Sequence, residues 1–98
     1  MKGEHVSPSV QIMKVDFCRL SEMSVGQQGT IVGLYVDQPL RSRMTAMGFQ
    51  KEAVIRVERK NWFGHVLHIV INQFTNLMIR KADAEHVWVR VEVLVDSN

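Results

Sequence analysis

From Val87 to Asp96 the chain alternates without a fault, Val87, Val89, Val91, Val93 and Val95 interleaving with Trp88, Arg90, Glu92, Leu94 and Asp96. Successive side chains of a strand point to opposite faces, so this run is a strand with one continuous valine face, and that face needs a sheet partner and a core. The same period recurs upstream. Ala53, Ile55 and Val57 oppose Arg56, Glu58 and Lys60, with Val54 breaking the polar set, and Leu67, Ile69 and Ile71 point inward while His68 points outward. Asn61-Trp62-Phe63-Gly64 between these two runs is a turn, which makes them a hairpin. Asn72 to Asn76 reads as a second turn. Leu77 to Arg80 is a short strand with Leu77 and Ile79 on one face, and Lys81 to Glu85 is a single helical turn.

One stretch breaks the strand pattern. Asp37 to Phe49, DQPLRSRMTAMGF, is the convincing helix of the chain. Pro39 suits a first turn, where its missing N–H is unpaired anyway; Asp37 or Gln38 is placed to cap, and Gly48 supplies the stop. Leu40, Met44 and Met47 fall at i, i+4 and i+7, a stripe expected to serve as core, with Arg41, Ser42, Arg43 and Thr45 on the remaining surface. About three turns cannot stand alone in water, so the stripe must dock on the sheet.

The N-terminal part is less regular. Residues 1–11 read as a loose tail and residues 12–98 as a single domain. Ile12 to Leu20 resembles a strand or a lead-in, SVGQQG with Gly26 and Gly29 is a turn, and Thr30 to Val36 is a strand. Gly33 in its middle marks a bulge or a close backbone approach. Five or so short strands, one early helix and tight later turns describe a mainly β fold, a small, strongly bent antiparallel barrel.

Composition excludes several classes of function. With 98 residues, 46% of them hydrophobic, the chain is long enough for one small core without staples. A single cysteine, Cys18, excludes an internal disulfide and fits a reducing compartment, so the cytoplasm is the expected location. The start of the sequence has no signal-peptide pattern, and no apolar run reaches the roughly 20 residues of a membrane-spanning helix. A formal charge of +2 decides little.

These segments together resemble the ferrous iron transport protein A (FeoA) family of SH3-like barrels, whose domain also occurs appended to iron-dependent repressors. The resemblance runs from about Cys18 to Val91. It is carried by Leu20 with the Gly26 and Gly29 turn, by the strand TIVGL and by LRSRMTAMGF, which is similar to the family's Arg-Leu-x-x-Leu-Gly pattern. The Phe63-Gly64 hairpin and MIRKADAEHVWV, similar to a closing Leu-Arg-x-x-x-Ala-x-x-Ile-x-Val, complete it. Two turns depart from the pattern: Lys51-Glu52 stands where Pro-Gly is usual, and Asn72-Gln73-Phe74 lacks the usual glycine, so these turns are expected to differ in detail while the strand pattern stays intact. The resemblance implies an accessory protein of ferrous iron uptake that contacts the iron permease FeoB at the cytoplasmic face of the membrane.

The residues themselves offer no catalytic set. Neither Cys18, in Asp16-Phe17-Cys18-Arg19, nor the scattered carboxylates form a nucleophile with a base and an orienter, and no Walker-type phosphate loop is present. His65 and His68 are three apart on one strand and point to opposite faces, so they do not chelate one ion; no metal site or cofactor is expected. A docking module fits better. Trp62 and Phe63 lie at a hairpin tip beside Arg59 and Lys60, and Arg41 and Arg43 project from the helix; Arg41, Arg43, Trp62 and Phe63 are the expected partner-binding residues. The final strand, if it ends the sheet, would offer an edge to a second copy.

Two other classes compete. Arg41, Arg43, Lys51, Arg56, Arg59, Lys60, Arg80, Lys81 and Arg90, with Tyr35, Trp62, Phe63 and Trp88 for stacking, would serve a small nucleic-acid-binding barrel, but ten carboxylates are interspersed. A polyproline-binding SH3 domain needs a strip of aromatics, and the chain has seven in all with no strip evident.

Overall fold

The computed structural model describes residues 11–61 and 63–96; Trp62 and the expected N-terminal tail through residue 10 lie outside the described residues. In chain order the elements are β1 (Gln11–Arg19), a 3₁₀ turn (Leu20–Glu22), β2 (Gln28–Leu34), α1 (Gln38–Ala46), β3 (Val54–Lys60), β4 (Val66–Ile71), β5 (Thr75–Arg80), α2 (Lys81–Ala84) and β6 (Val87–Asp96). Every pairing is antiparallel, and the six strands form one sheet in the order β1-β6-β2-β3-β4-β5. The alternating strand β6 is therefore internal. It lies between β1 and β2, so the edge that it would have offered to a second copy belongs to β1 instead.

The inward faces of the strands make the core. Val87, Val89 and Val91 of β6, Ile55 and Val57 of β3, and Leu67, Ile69 and Ile71 of β4 are buried with Leu20, Met23, Ile31, Met44, Phe49 and Ala84. Bending the sheet round this cluster requires irregular pairing, and the pairing is irregular at two places. The β2–β6 register shifts between Ile31 and Gly33, the bulge that a mid-strand glycine announces, and the β3–β4 register shifts between Val57 and Arg59.

The long β2–β3 connection holds α1. Asp37 is the N-cap residue with an extended backbone; its carbonyl accepts the Arg41 N–H at 2.9 Å, while its carboxylate makes no capping bond. Pro39 lies in the first turn, and Gly48 at φ +114° ends the helix. The helix is shorter than its apolar stripe. Met44 is buried and Leu40 half-buried, but Met47 falls after the last helical residue and its side chain is exposed, so its assignment to the core is corrected. A stripe defined by i+7 assumes two uninterrupted turns, and the helix gives way to the Gly48 stop before the second is complete.

The turn after Phe49 explains one departure from the family pattern. Ala53 N–H donates to the Gln50 carbonyl at 3.1 Å, and Glu52 sits at φ +72°. A four-residue turn with a positive φ at its third position is type II, the turn that suits Pro at its second position and Gly at its third. Lys51-Glu52 thus holds the Pro-Gly conformation without those residues. A left-handed residue with a Cβ costs about 1–2 kcal/mol, part of which glycine's greater unfolded freedom gives back. Glu52→Gly is therefore expected to stabilise the fold by about 0.5–1 kcal/mol, read as a raised urea midpoint at unchanged slope. A lowered midpoint would show that the Glu52 side chain outweighs its backbone cost.

Candidate functional site

The surface feature with the clearest chemistry lies where α1 runs beside β5. Along β5, Leu77 and Ile79 turn inward, which sends Asn76, Met78 and Arg80 outward. Across a groove of about 590 Å³, α1 and its end present Leu40, Arg43, Met44, Ala46 and Met47 to Met78, Ile79, Arg80 and Asp83. Met44 and Ile79 form the floor. Met47 and Met78 stand on the two walls with 45% and 70% of their surface exposed. Methionine is unbranched and polarisable, so a wall of two methionines adapts to the shape of an apolar guest.

Charges border this apolar groove. Arg43 is exposed on the helix side. On the other side the Arg80 guanidinium donates to Asp83, Nε to Oδ2 at 3.1 Å and Nη2 to Oδ1 at 3.4 Å, and this fork holds the arginine along the start of α2. Arg80 also borders a second depression with His65, Val66, Lys81, Ala82 and Glu85. Lys81 N–H donates to the His65 carbonyl at 2.7 Å, and the His65 ring lies 6.1 Å from that of Phe63. Arg80 thus links the groove to the β3–β4 hairpin.

The expected partner-binding residues separate on this map. Arg43 belongs to the groove. Phe63 is exposed on the hairpin that the second depression joins to it. Arg41 points elsewhere: its Nη2 donates to the Val36 carbonyl at 3.1 Å, and it borders a hollow with Gly33, Leu34, Thr45, Phe49, Gln50 and Lys51. Trp62 lies outside the described residues. Sequence reasoning missed Met78 as a surface residue and took Met47 for core. The inward turn of Leu77 and Ile79 already implied an outward Met78, but no local pattern reveals that α1 lies alongside β5.

The histidines and the cysteine have ordinary surroundings. His65 immediately precedes β4, and His68 Nε2 lies 3.1 Å from Asn76 Oδ1 on the paired strand. Among the described residues there is no group of three or more His, Cys, Asp or Glu side chains placed to hold a metal ion. Burial, and after it the nearby Glu22 and Asp16 carboxylates, pushes the Cys18 thiol above its ordinary pKa. It is therefore protonated at neutral pH and a poor nucleophile.

A bent six-stranded antiparallel sheet with one helix between its second and third strands is an SH3-like barrel, and the solved structures it matches have this fold. The family model "FeoA domain" matches residues 18–91, and the chain belongs to the FeoA family. It is similar to iron(II) transport protein A from Clostridium thermocellum at 26% identity, TM-score 0.70, covering 74% of this chain and 44% of that one. It is similar to Stenotrophomonas maltophilia FeoA, solved with zinc and described as an SH3 domain protein, at 23% identity, TM-score 0.63, covering 72% and 87%. A manganese-dependent transcriptional repressor shares the fold at 18% identity, TM-score 0.69, covering 82% and 44%. No curated protein matches the chain. The family is associated with ferrous iron transport. No helix among the described residues is long and apolar enough to cross a membrane.

Proposed function

We propose that the protein is a non-enzymatic accessory of ferrous iron uptake that docks on the cytoplasmic part of the FeoB iron permease through the α1–β5 groove. The observation that carries this reading is the exposed pair Met47 and Met78 above a floor of Met44 and Ile79. An apolar helix or turn of the partner fits such a groove, an acidic residue of it meeting Arg43 at the rim. Phe63 on the adjoining hairpin extends the contact, with Trp62 next to it in sequence, while Arg41, which borders a separate hollow, would need a second contact with the partner.

A docking protein alters a transporter by binding one of its conformations better than another, and the shift cannot exceed that difference in affinity. Binding at the cytoplasmic face needs no membrane segment in this chain. The nucleic-acid reading has less support, because Arg56 and Arg80, two members of its basic set, pair with Glu58 and Asp83.

The test is complementation. In cells lacking the protein, Met47→Glu with Met78→Glu is expected to lower ferrous iron uptake at least about tenfold relative to wild type, since two carboxylates replace the apolar walls and each desolvated charge costs several kcal/mol. Both positions are exposed, so the unfolding free energy of the purified variant, from urea denaturation, should stay within about 0.5 kcal/mol of wild type. Full uptake by a folded double variant would remove the groove from the mechanism.

A further inference from the structure

The pairing of β1 leaves an unfinished piece of sheet. β1 pairs with β6 over nine positions, from Gln11↔Asp96 to Arg19↔Trp88, whereas β2 pairs with β6 only from Leu34↔Val87 to Thr30↔Arg90. Residues 11–16 and 91–96 therefore pair only with each other among the described residues, as a two-stranded ribbon beyond the sheet. Two strands in water are marginal by themselves. β1 also carries an exposed apolar row along this ribbon and its base: Met13, Val15 and Phe17 are 53%, 44% and 60% exposed and share one face. The outer side of β1 has no strand beside it among the described residues.

We infer that this edge is the interface with a second copy of the chain, the two β1 strands pairing antiparallel about a two-fold axis at Val15. The register follows from charge. A two-fold axis between antiparallel strands keeps each residue on its own face, so the axis passes through a residue. Centred on Val15, the pairing sets Lys14 opposite the partner's Asp16 and Asp16 opposite the partner's Lys14. Met13 then faces the partner's Phe17 twice, and Val15 faces Val15. An axis at Lys14 or Asp16 would set like charges face to face, and one at Met13 or Phe17 leaves both charges opposite uncharged residues. Only the Val15 register satisfies charge and apolar face together. The product is a four-stranded ribbon, β6-β1-β1-β6, with six apolar side chains from the two copies on one face. A single strand from each copy makes this contact, so the dimer should be concentration-dependent, with a dissociation constant roughly in the micromolar range.

Sedimentation equilibrium of the full chain over a range of concentrations tests this. Wild type should move from monomer to dimer. Asp16→Lys, which places lysines opposite one another twice, should weaken the dimer roughly tenfold or more. Lys14→Asp combined with Asp16→Lys restores opposite charges in the same register and should recover dimerisation. In a Cys18→Ser background, Val15→Cys should form an intermolecular disulfide on mild oxidation, because directly opposed residues of antiparallel strands have Cα atoms about 4.5–5.5 Å apart. A wild type that stays monomeric to high micromolar concentration overturns the proposal. So does a dimer indifferent to Asp16→Lys, or one that the double exchange fails to restore.

Discussion

Phe49→Ala is expected to lower the unfolding free energy by about 3–5 kcal/mol, the cost of emptying a fully buried phenylalanine site. Phe49 is 1% exposed and lies in the core cluster immediately after the Gly48 stop. Its N–H donates to the Met44 carbonyl at 3.1 Å, so the ring and the end of α1 are tied together. Of its apolar side chains the helix itself buries only Met44 fully and Leu40 in part. A single domain commonly has 5–15 kcal/mol in all, so the variant would be marginal. Urea unfolding followed by near-ultraviolet circular dichroism measures the loss, and a change below about 1 kcal/mol would show that α1 is held by something other than Phe49. Because α1 forms one wall of the groove, iron uptake should fall with it. Loss of function in this variant reports folding, whereas loss in the Met47 and Met78 variant reports contact.

Gly29→Ala should cost about 2–3 kcal/mol for a different reason. Gly29 is buried in β2, paired with Ile55 on one side and adjacent to the Thr30↔Arg90 pair on the other. A Cβ built there would collide with Val89 Cγ1 and lie 2.8 Å from the Arg90 carbonyl oxygen and 3.2 Å from Val91 Cγ2. Val89 can shift only by disturbing the core, and the Arg90 carbonyl is backbone of β6. Neither strand can yield without loosening the crossing on which the bend depends. Thermal unfolding should show a midpoint many degrees lower for this small domain. An unchanged midpoint would mean that β2 and β6 pass each other with more room than these distances allow.

Local patterns carried much of the fold. The alternation in Val87–Asp96 and in Leu67–Ile71 placed β6 and β4, because period two leaves one choice of buried face. Pro39 and Gly48 bounded α1 because each acts through its own backbone, and Gly33 marked its bulge for the same reason. Properties that depend on distant segments were not legible. Gly29 reads locally as part of a turn, but it lies in β2 because β6 passes too close for a side chain. Nothing near Val87 says that β1 will cover β6 and become the edge. Of the residues that line the groove, Arg43 was singled out from its place on the helix, while Met47 was assigned to the core because the stripe was counted past the helix end. Glu52 could not be read as left-handed from its identity, and the replacement of Pro-Gly by Lys51-Glu52 argued for a different turn where the same one is kept.

The central claim is that the α1–β5 groove receives the iron permease. A photo-crosslinking residue at position 78 in living cells tests it most directly, with the same residue at the exposed position 25 as control. The account predicts a permease adduct from position 78, absent from position 25 and lost when Met47→Glu is added. Equal adducts from both positions, or a position 78 that captures nucleic acid or no permease while iron uptake is normal, would contradict it.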